Sequence, residues 1–171
     1  MKDIGVRAVT QENWHETLRL TVRPDQQRFV AEYAPIAAIA LAKAYIRPSG
    51  AIWTPYAIYA DSTMVGFFAL ARESRTTDDL WLFHFFIDER HQGRGYGRAA
   101  LRRCIERAKH DHPQHRLLQL VVHPENVPAQ RLYIAAGFRP TGTERWGEPV
   151  YQRALDLSKD QSSLDAETAH E

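Results

Sequence analysis

A single cysteine, Cys104, cannot form an internal disulfide, and nowhere in the 171 residues do Cys and His fall at the paired spacing of a structural zinc site. No metal is expected, and a reducing cytoplasm is the compartment that fits. Long apolar runs are lacking too. The most apolar stretch, Ala34 to Ala42, contains Pro35 and stops at Lys43, well short of the roughly 20 residues a bilayer-crossing helix needs. Met1-Lys2-Asp3-Ile4-Gly5 lacks the apolar core of an export signal, so neither secretion nor a membrane partner is expected. An excess of one charge is also missing: 22 Lys and Arg face 21 Asp and Glu. Residues 158 to 171 hold one Lys and four of the acids, which leaves the body at a mild +4, too little to call for nucleic acid. The exception is local, with Arg90, Arg94, Arg98, Arg102, Arg103 and Arg107 packed into eighteen residues. That patch suits a phosphorylated small molecule, although a solvated helix face explains part of it.

What is present is a globular composition, 44% hydrophobic and 25% charged, at the length of one domain. The domain is read as 1–157 and the Ser/Asp/Glu-rich residues 158–171 as a frayed acidic tail. Ile4 to Val9 reads as a strand, with Thr10 capping a helix that carries Trp14, Leu18 and Leu20. Pro24 and Pro35 then punctuate a helical region, as two helices or one kinked one. Tyr56–Ala60 and Met64–Ala71 form a hairpin around Asp61-Ser62-Thr63. Leu80 to Ile87, apolar except for His84, is a central strand covered on both faces. The helix after it has an inner stripe of Leu101, Cys104, Ile105 and Ala108, which makes Cys104 a packing residue rather than a reactive thiol. Leu117–Val122 is a further buried strand and 128–136 a helix stopped at Gly137. A closing hairpin turns at Gly147-Glu148-Pro149. The order gives a mixed α/β (α+β) sheet with a strand-turn-helix unit at its middle.

That unit carries the chemistry. Gln92-Gly93-Arg94-Gly95-Tyr96-Gly97 lies between a central strand and a helix start, where free N–H groups and the helix dipole favour an anion and alternating glycines let the backbone approach a phosphate. Its G-x-G-x-G spacing is neither a dinucleotide fingerprint nor a P-loop. The whole segment, Phe85-Phe86-Ile87-Asp88 through Gln92-x-x-Gly95-x-Gly97 to Leu101, resembles the acyl-CoA motif of the GNAT N-acetyltransferase superfamily. Asn126-Val127-Pro128-Ala129-Gln130-Arg131-Leu132-Tyr133-Ile134-Ala135-Ala136-Gly137-Phe138 is similar to that superfamily's second hallmark. The resemblance covers about residues 4 to 157. Within it, Arg23-Pro24-x-Gln26, Phe29-Val30-Ala31, Pro55-Tyr56-Ala57-Ile58-Tyr59 and Gly147-Glu148 resemble bacterial spermine/spermidine acetyltransferases.

The resemblance implies a mostly antiparallel sheet of about seven strands flanked by about four helices and split between strands four and five. It also implies acetyl-CoA as co-substrate, a small-molecule amine as acceptor and a homodimer as one possible assembly. Backbone groups of Phe86 and Ile87 would pair with the pantetheine. Gln92, Gly93, Arg94, Gly95, Tyr96, Gly97 and Arg98 would hold the pyrophosphate, and Asn126 is either a further contact or a helix cap. Tyr133 matches the superfamily's tyrosine near the coenzyme sulfur and is the candidate acid for the leaving thiolate; a buried, satisfied aromatic is its other reading. Eukaryotic members of the spermidine-acetylating group carry carboxylates where this chain has Phe83 and His84, so His84 is either the base or a core histidine, with Glu32 and Glu73 as further acids. For the acceptor, Glu32, Tyr33 and Trp53 are the substrate-binding candidates, among Glu12, Asp25, Trp14, Tyr45 and Trp146. A polyamine such as spermine or spermidine ranks ahead of an aminoglycoside-like or protein amine. A non-catalytic CoA-binding module is the contrasting class.

Overall fold

The computed structural model describes residues 3–73 and 79–155. Residues 156 and 157 of the expected domain and the whole tail 158–171 lie outside the described residues, as does most of the turn read at Arg75 to Asp79.

Seven strands make one sheet in the order β1-β2-β3-β4-β5-β7-β6. They are β1 (Ile4–Ala8), β2 (Ile52–Ala60), β3 (Thr63–Arg72), β4 (Asp79–Ile87), β5 (Leu117–Val121), β6 (Arg139–Arg145) and β7 (Glu148–Ala154). Every neighbouring pair is antiparallel except β4 and β5. Among the described residues five α-helices flank the sheet: α1 (Trp14–Thr17), α2 (Gln27–Val30), α3 (Ile36–Ile46), α4 (Tyr96–Asp111) and α5 (Val127–Ala135). The two faces of the sheet bury separate cores. One gathers the expected α4 stripe, Leu101, Cys104, Ile105 and Ala108, with Tyr133 and Phe138. The other sets Ile36, Ala37 and Ala40 of α3 against Trp53, Trp81, Phe67 and Val150.

Local differences from the sequence reading have local causes. Asn13, not Thr10, stands at the N-cap of α1, and its Oδ1 accepts the Thr10 N–H at 2.8 Å. The helix lasts one turn, so Leu18 and Leu20 fall beyond it. The proline region resolves into separate helices, since α2 ends in an extended Ala31 and α3 starts after Pro35. The last hairpin turns at Trp146 and Gly147, both at positive φ (53° and 78°), which is what a two-residue hairpin connection demands. Glu148 and Pro149 therefore belong to β7 rather than to the turn.

Two irregularities of β4 position everything that follows. Its parallel pairing with β5 runs only from Asp79↔Leu117 to Trp81↔Gln119, after which the strands part. On the other edge, Phe67 pairs with Phe86 but Ala69 with Phe83, so two steps on β3 answer three on β4. This one-residue bulge centres on His84, at φ 53°, a left-handed conformation a non-glycine residue rarely holds. The neighbouring strand makes room: a Cβ on Gly66 would lie 2.5 Å from the Phe86 carbonyl oxygen. Phe83, His84 and Phe85 are consequently only half-buried, not covered on both faces.

Candidate active site

Where β4 and β5 part, a cavity of about 600 Å³ opens. Its floor is Leu82 to Ile87 of β4 and Val121 and Val122 at the end of β5. One wall is α5 with Asn126, and the opposite wall is Val22 to Glu32, with Gly97 and Glu148 completing the lining. Of the sequence candidates, His84, Phe86, Ile87, Gln92, Gly97, Asn126, Tyr133, Glu32 and Asp25 line this one space.

The turn sits at its mouth. Gly93 and Gly95 have φ of 74° and 78°, and a Cβ built on either meets nothing within 4 Å, so an anion can come against the backbone there. Gly95 is the N-cap of the 16-residue α4, whose first N–H groups have no partner within the helix. Exposed Arg98 makes no hydrogen bond or ion pair with the described residues, whereas Arg94 folds back to donate to the Arg90 carbonyl oxygen at 3.2 Å. Tyr96 is half-buried and packs against the core. These residues fit a coenzyme pyrophosphate, and the freed edge of β4 fits a pantetheine arm.

The Gln92 side chain is used internally. Its Nε2 donates to the Ile87 carbonyl oxygen and to Gln26 Oε1, both at 2.9 Å, while its Oε1 accepts from Arg23 at 3.1 Å. Just before it, fully buried Asp88 accepts the Thr21 N–H at 3.0 Å and the Arg90 guanidinium at 2.7 and 3.0 Å. Burial acts to raise this carboxyl, yet Arg90 and the two backbone amides hold it below the usual carboxylate range. Together the two side chains clamp the segment after α1 to the turn. Asn126 caps α5, its Oδ1 accepting the Ala129 N–H at 3.3 Å.

His84 Nδ1 lies 2.9 Å from the Val30 carbonyl oxygen. An oxygen that can only accept assigns the proton to Nδ1 and leaves Nε2 with a lone pair, and Nε2 has no partner among the described residues. Burial pushes the imidazole pKa below its ordinary value, Lys43 adds repulsion, and the Val30 contact only partly offsets them. The ring is therefore neutral near pH 7, with a free basic nitrogen. Tyr133 is held edge-on between Phe85 and Phe138 at ring distances of 6.4 and 5.7 Å. Its hydroxyl bonds none of the described residues, and burial raises its pKa, so it keeps its proton.

The other acceptor candidates stand apart. Trp53 is buried, stacked on Phe83 at 4.5 Å and covered by Lys43 Nζ at 4.6 Å. Tyr33, Tyr45 and Trp146 are largely exposed, and none of them, nor Trp14, Glu12 or Glu73, lines the cavity. Glu73 is the ion-pair partner of Arg145. Arg28 and Glu148 line the cavity without having been singled out from sequence for the site.

A parted parallel pair with an anion-ready helix start at its mouth defines a coenzyme-dependent acyl-transfer fold. The chain belongs to the Acetyltransferase (GNAT) family, which it matches over residues 7–138; it is an N-acetyltransferase that uses acetyl-CoA. It is 30% identical over 158 residues to the spermine/spermidine N(1)-acetyltransferase of Bacillus subtilis, covering 89% of this chain and 99% of that protein. Among solved structures it superposes on the spermidine N-acetyltransferase of Vibrio cholerae, crystallised with CoA and spermine, at TM-score 0.69 and 16% identity, covering 90% of this chain and 96% of that one. An acetyltransferase from Salmonella typhimurium that modifies the N-terminal serine of a 50S ribosomal subunit protein superposes at TM-score 0.68 and 15% identity, over 91% and 97% of the two chains. Equal likeness to two such different acceptor chemistries means the fold alone does not select the amine.

The described residues contain no cluster of three or more His, Cys, Asp or Glu able to hold a metal ion, and no helix among them is long and apolar enough to cross a membrane.

Proposed function

We propose that this enzyme acetylates a primary amine of a polyamine such as spermine or spermidine, by direct attack on the acetyl-CoA thioester in a ternary complex. The observation that carries the mechanism is one cavity lined by both a neutral imidazole, whose buried Nε2 has no partner among the described residues, and a protonated phenol. An ammonium must lose a proton before it can attack, and the departing thiolate must gain one. His84 Nε2 takes the first proton, directly or through one water, with the Val30 carbonyl fixing the tautomer and steadying the imidazolium that results. Tyr133 supplies the second. Phe86 and Ile87 hold the pantetheine; Gly93 to Arg98 hold the pyrophosphate. Cys104 is fully buried and its thiol pKa is raised, which argues against a covalent acetyl-enzyme. The acceptor assignment is supported by the Bacillus relative and by the three carboxylates, Asp25, Glu32 and Glu148, that line the cavity.

Steady-state kinetics with spermine, spermidine, a diamine, an aminoglycoside and a short peptide tests it. The polyamines are expected to have the highest kcat/KM, and a higher value for the peptide or aminoglycoside rejects the polyamine reading. Binding of acetyl-CoA with no thiol release on any of these amines would favour the non-catalytic class.

The base has its own signature. Because His84 must be neutral, kcat at saturating amine falls on the acid side only as pH drops below the ordinary imidazole value of about 6.5. His84→Gln should abolish that limb. Its persistence in the variant would move the base elsewhere.

A further inference from the structure

The cavity's three carboxylates are not equivalent. Asp25 and Glu32 are exposed at the rim; Asp25 lies 3.4 Å from Arg23, and Glu32 feels the Lys43 ammonium. Glu148 is only partly exposed, and its carboxylate accepts no hydrogen bond and forms no ion pair with the described residues. The cation opposite it across the hairpin is committed elsewhere. Arg145, its hairpin partner, is paired with Glu73 and sandwiched between Trp81 and Trp146 at 4.3 and 4.2 Å. His123 accepts the Glu125 N–H at its Nδ1, 3.1 Å away. Burial raises the Glu148 carboxyl, with His123 opposing, so it sits where an added positive charge has most to offer.

Its place in the sheet gives it a direction. The β5–β7 register, ending at Val121↔Val150, continues to set Glu148 level with His123, just past the end of β5. Alternation along β7 puts Glu148 on the face of Val150, whose core is the one beneath α3, and not on the face of Tyr151, which packs with α4 and Tyr133. Glu148 thus lies on the sheet face whose core holds Trp53, beside which His84 stacks at 6.0 Å, and it lines one cavity with His84, Val121 and Val122.

From this we infer that Glu148 is the residue that recognises the acceptor's ammonium, its carboxylate receiving N–H donors from the amine beside His84. The inference rests on the reading of this cavity as the amine site and names the side chain that confers its preference for cations.

The test is Glu148→Gln, which keeps shape and removes charge. A charge-assisted hydrogen bond of this kind corresponds to a rise in KM for the best amine of about 10- to 100-fold, with kcat and acetyl-CoA affinity little changed. Glu148→Asp should fall between the two. An unmoved KM overturns the assignment, as does a larger rise for Glu32→Gln than for Glu148→Gln. Failure of the amine reading looks different: no amine is acetylated by the parent enzyme at all. Calorimetry of spermidine against the CoA-loaded protein then decides for Glu148, and either no binding to the parent or equal binding to parent and Glu148→Gln rejects it.

Discussion

Gly95→Val is expected to fold and to lose acetyl-CoA affinity by about 10²-fold or more. Gly95 holds φ 78° and ψ 1° at the N-cap of α4, and nothing lies within 4 Å of where a Cβ would stand. The protein therefore has no atom to displace, and the cost to the folded state is mainly the strain of a branched residue in the left-handed region, about 1–2 kcal/mol. In a chain of this size that lowers Tm by only several degrees. Binding suffers twice. The branched side chain fills the space a phosphate needs, and a turn that relaxes toward negative φ swings the first N–H groups of α4 out of line. Each charge-assisted hydrogen bond lost is worth about 1.5–3 kcal/mol, so losing two reaches the stated factor. Gly95→Ala should be intermediate, with the same strain but less bulk. Calorimetry that found parental acetyl-CoA affinity in a folded Gly95→Val protein would remove the turn from the site.

The turn could be read from sequence because backbone chemistry leaves a residue-level mark. Only glycine serves where φ is positive and a ligand must approach, so Gly93 and Gly95 announce themselves. The α4 stripe was equally plain, since burial along a helix repeats with the helix. Recognition at the acceptor side has no such mark. His84 was visible as the lone polar residue of an apolar strand, but its role turns on a bulge set by one extra residue on β4 between the Phe67 and Ala69 pairings, and no periodicity encodes an irregularity. Glu148 was concealed by a two-residue shift in the final turn. Reading Gly147-Glu148-Pro149 as the turn leaves it a loop residue; with the turn at Trp146-Gly147, alternation sends it to the acceptor face. Trp53 drew attention as an aromatic suited to a cation and does hold one, but the cation is the protein's own Lys43. The Gln92 clamp joins residues 66 positions apart, a pairing set by tertiary packing alone.

Tyr133→Phe should lower kcat by about 10²- to 10⁴-fold, the usual contribution of a positioned general acid, while leaving acetyl-CoA affinity and Tm nearly unchanged. The ring does the packing, against Phe85 and Phe138, and phenylalanine keeps it. The hydroxyl bonds no described residue, so removing it strands no buried partner and opens no significant void. A phenol whose pKa is raised by burial would be a poor acid toward a thiolate in water, where a thiol titrates near 8.5. The same apolar surroundings act on sulfur, however. The Cys104 thiol, in the same core as Tyr133, is itself pushed well up by burial. A thiolate departing beside Tyr133 is destabilised in the same sense, and its demand for a proton rises with that of the phenolate. This dependence on leaving-group basicity gives a second readout: the deficit of the variant should shrink with an acetyl thioester of an acidic aryl thiol, which needs no proton to leave. A loss below threefold with acetyl-CoA, measured where chemistry limits turnover, or a deficit of the same size with both donors, would return Tyr133 to packing and leave the leaving group to be protonated by solvent.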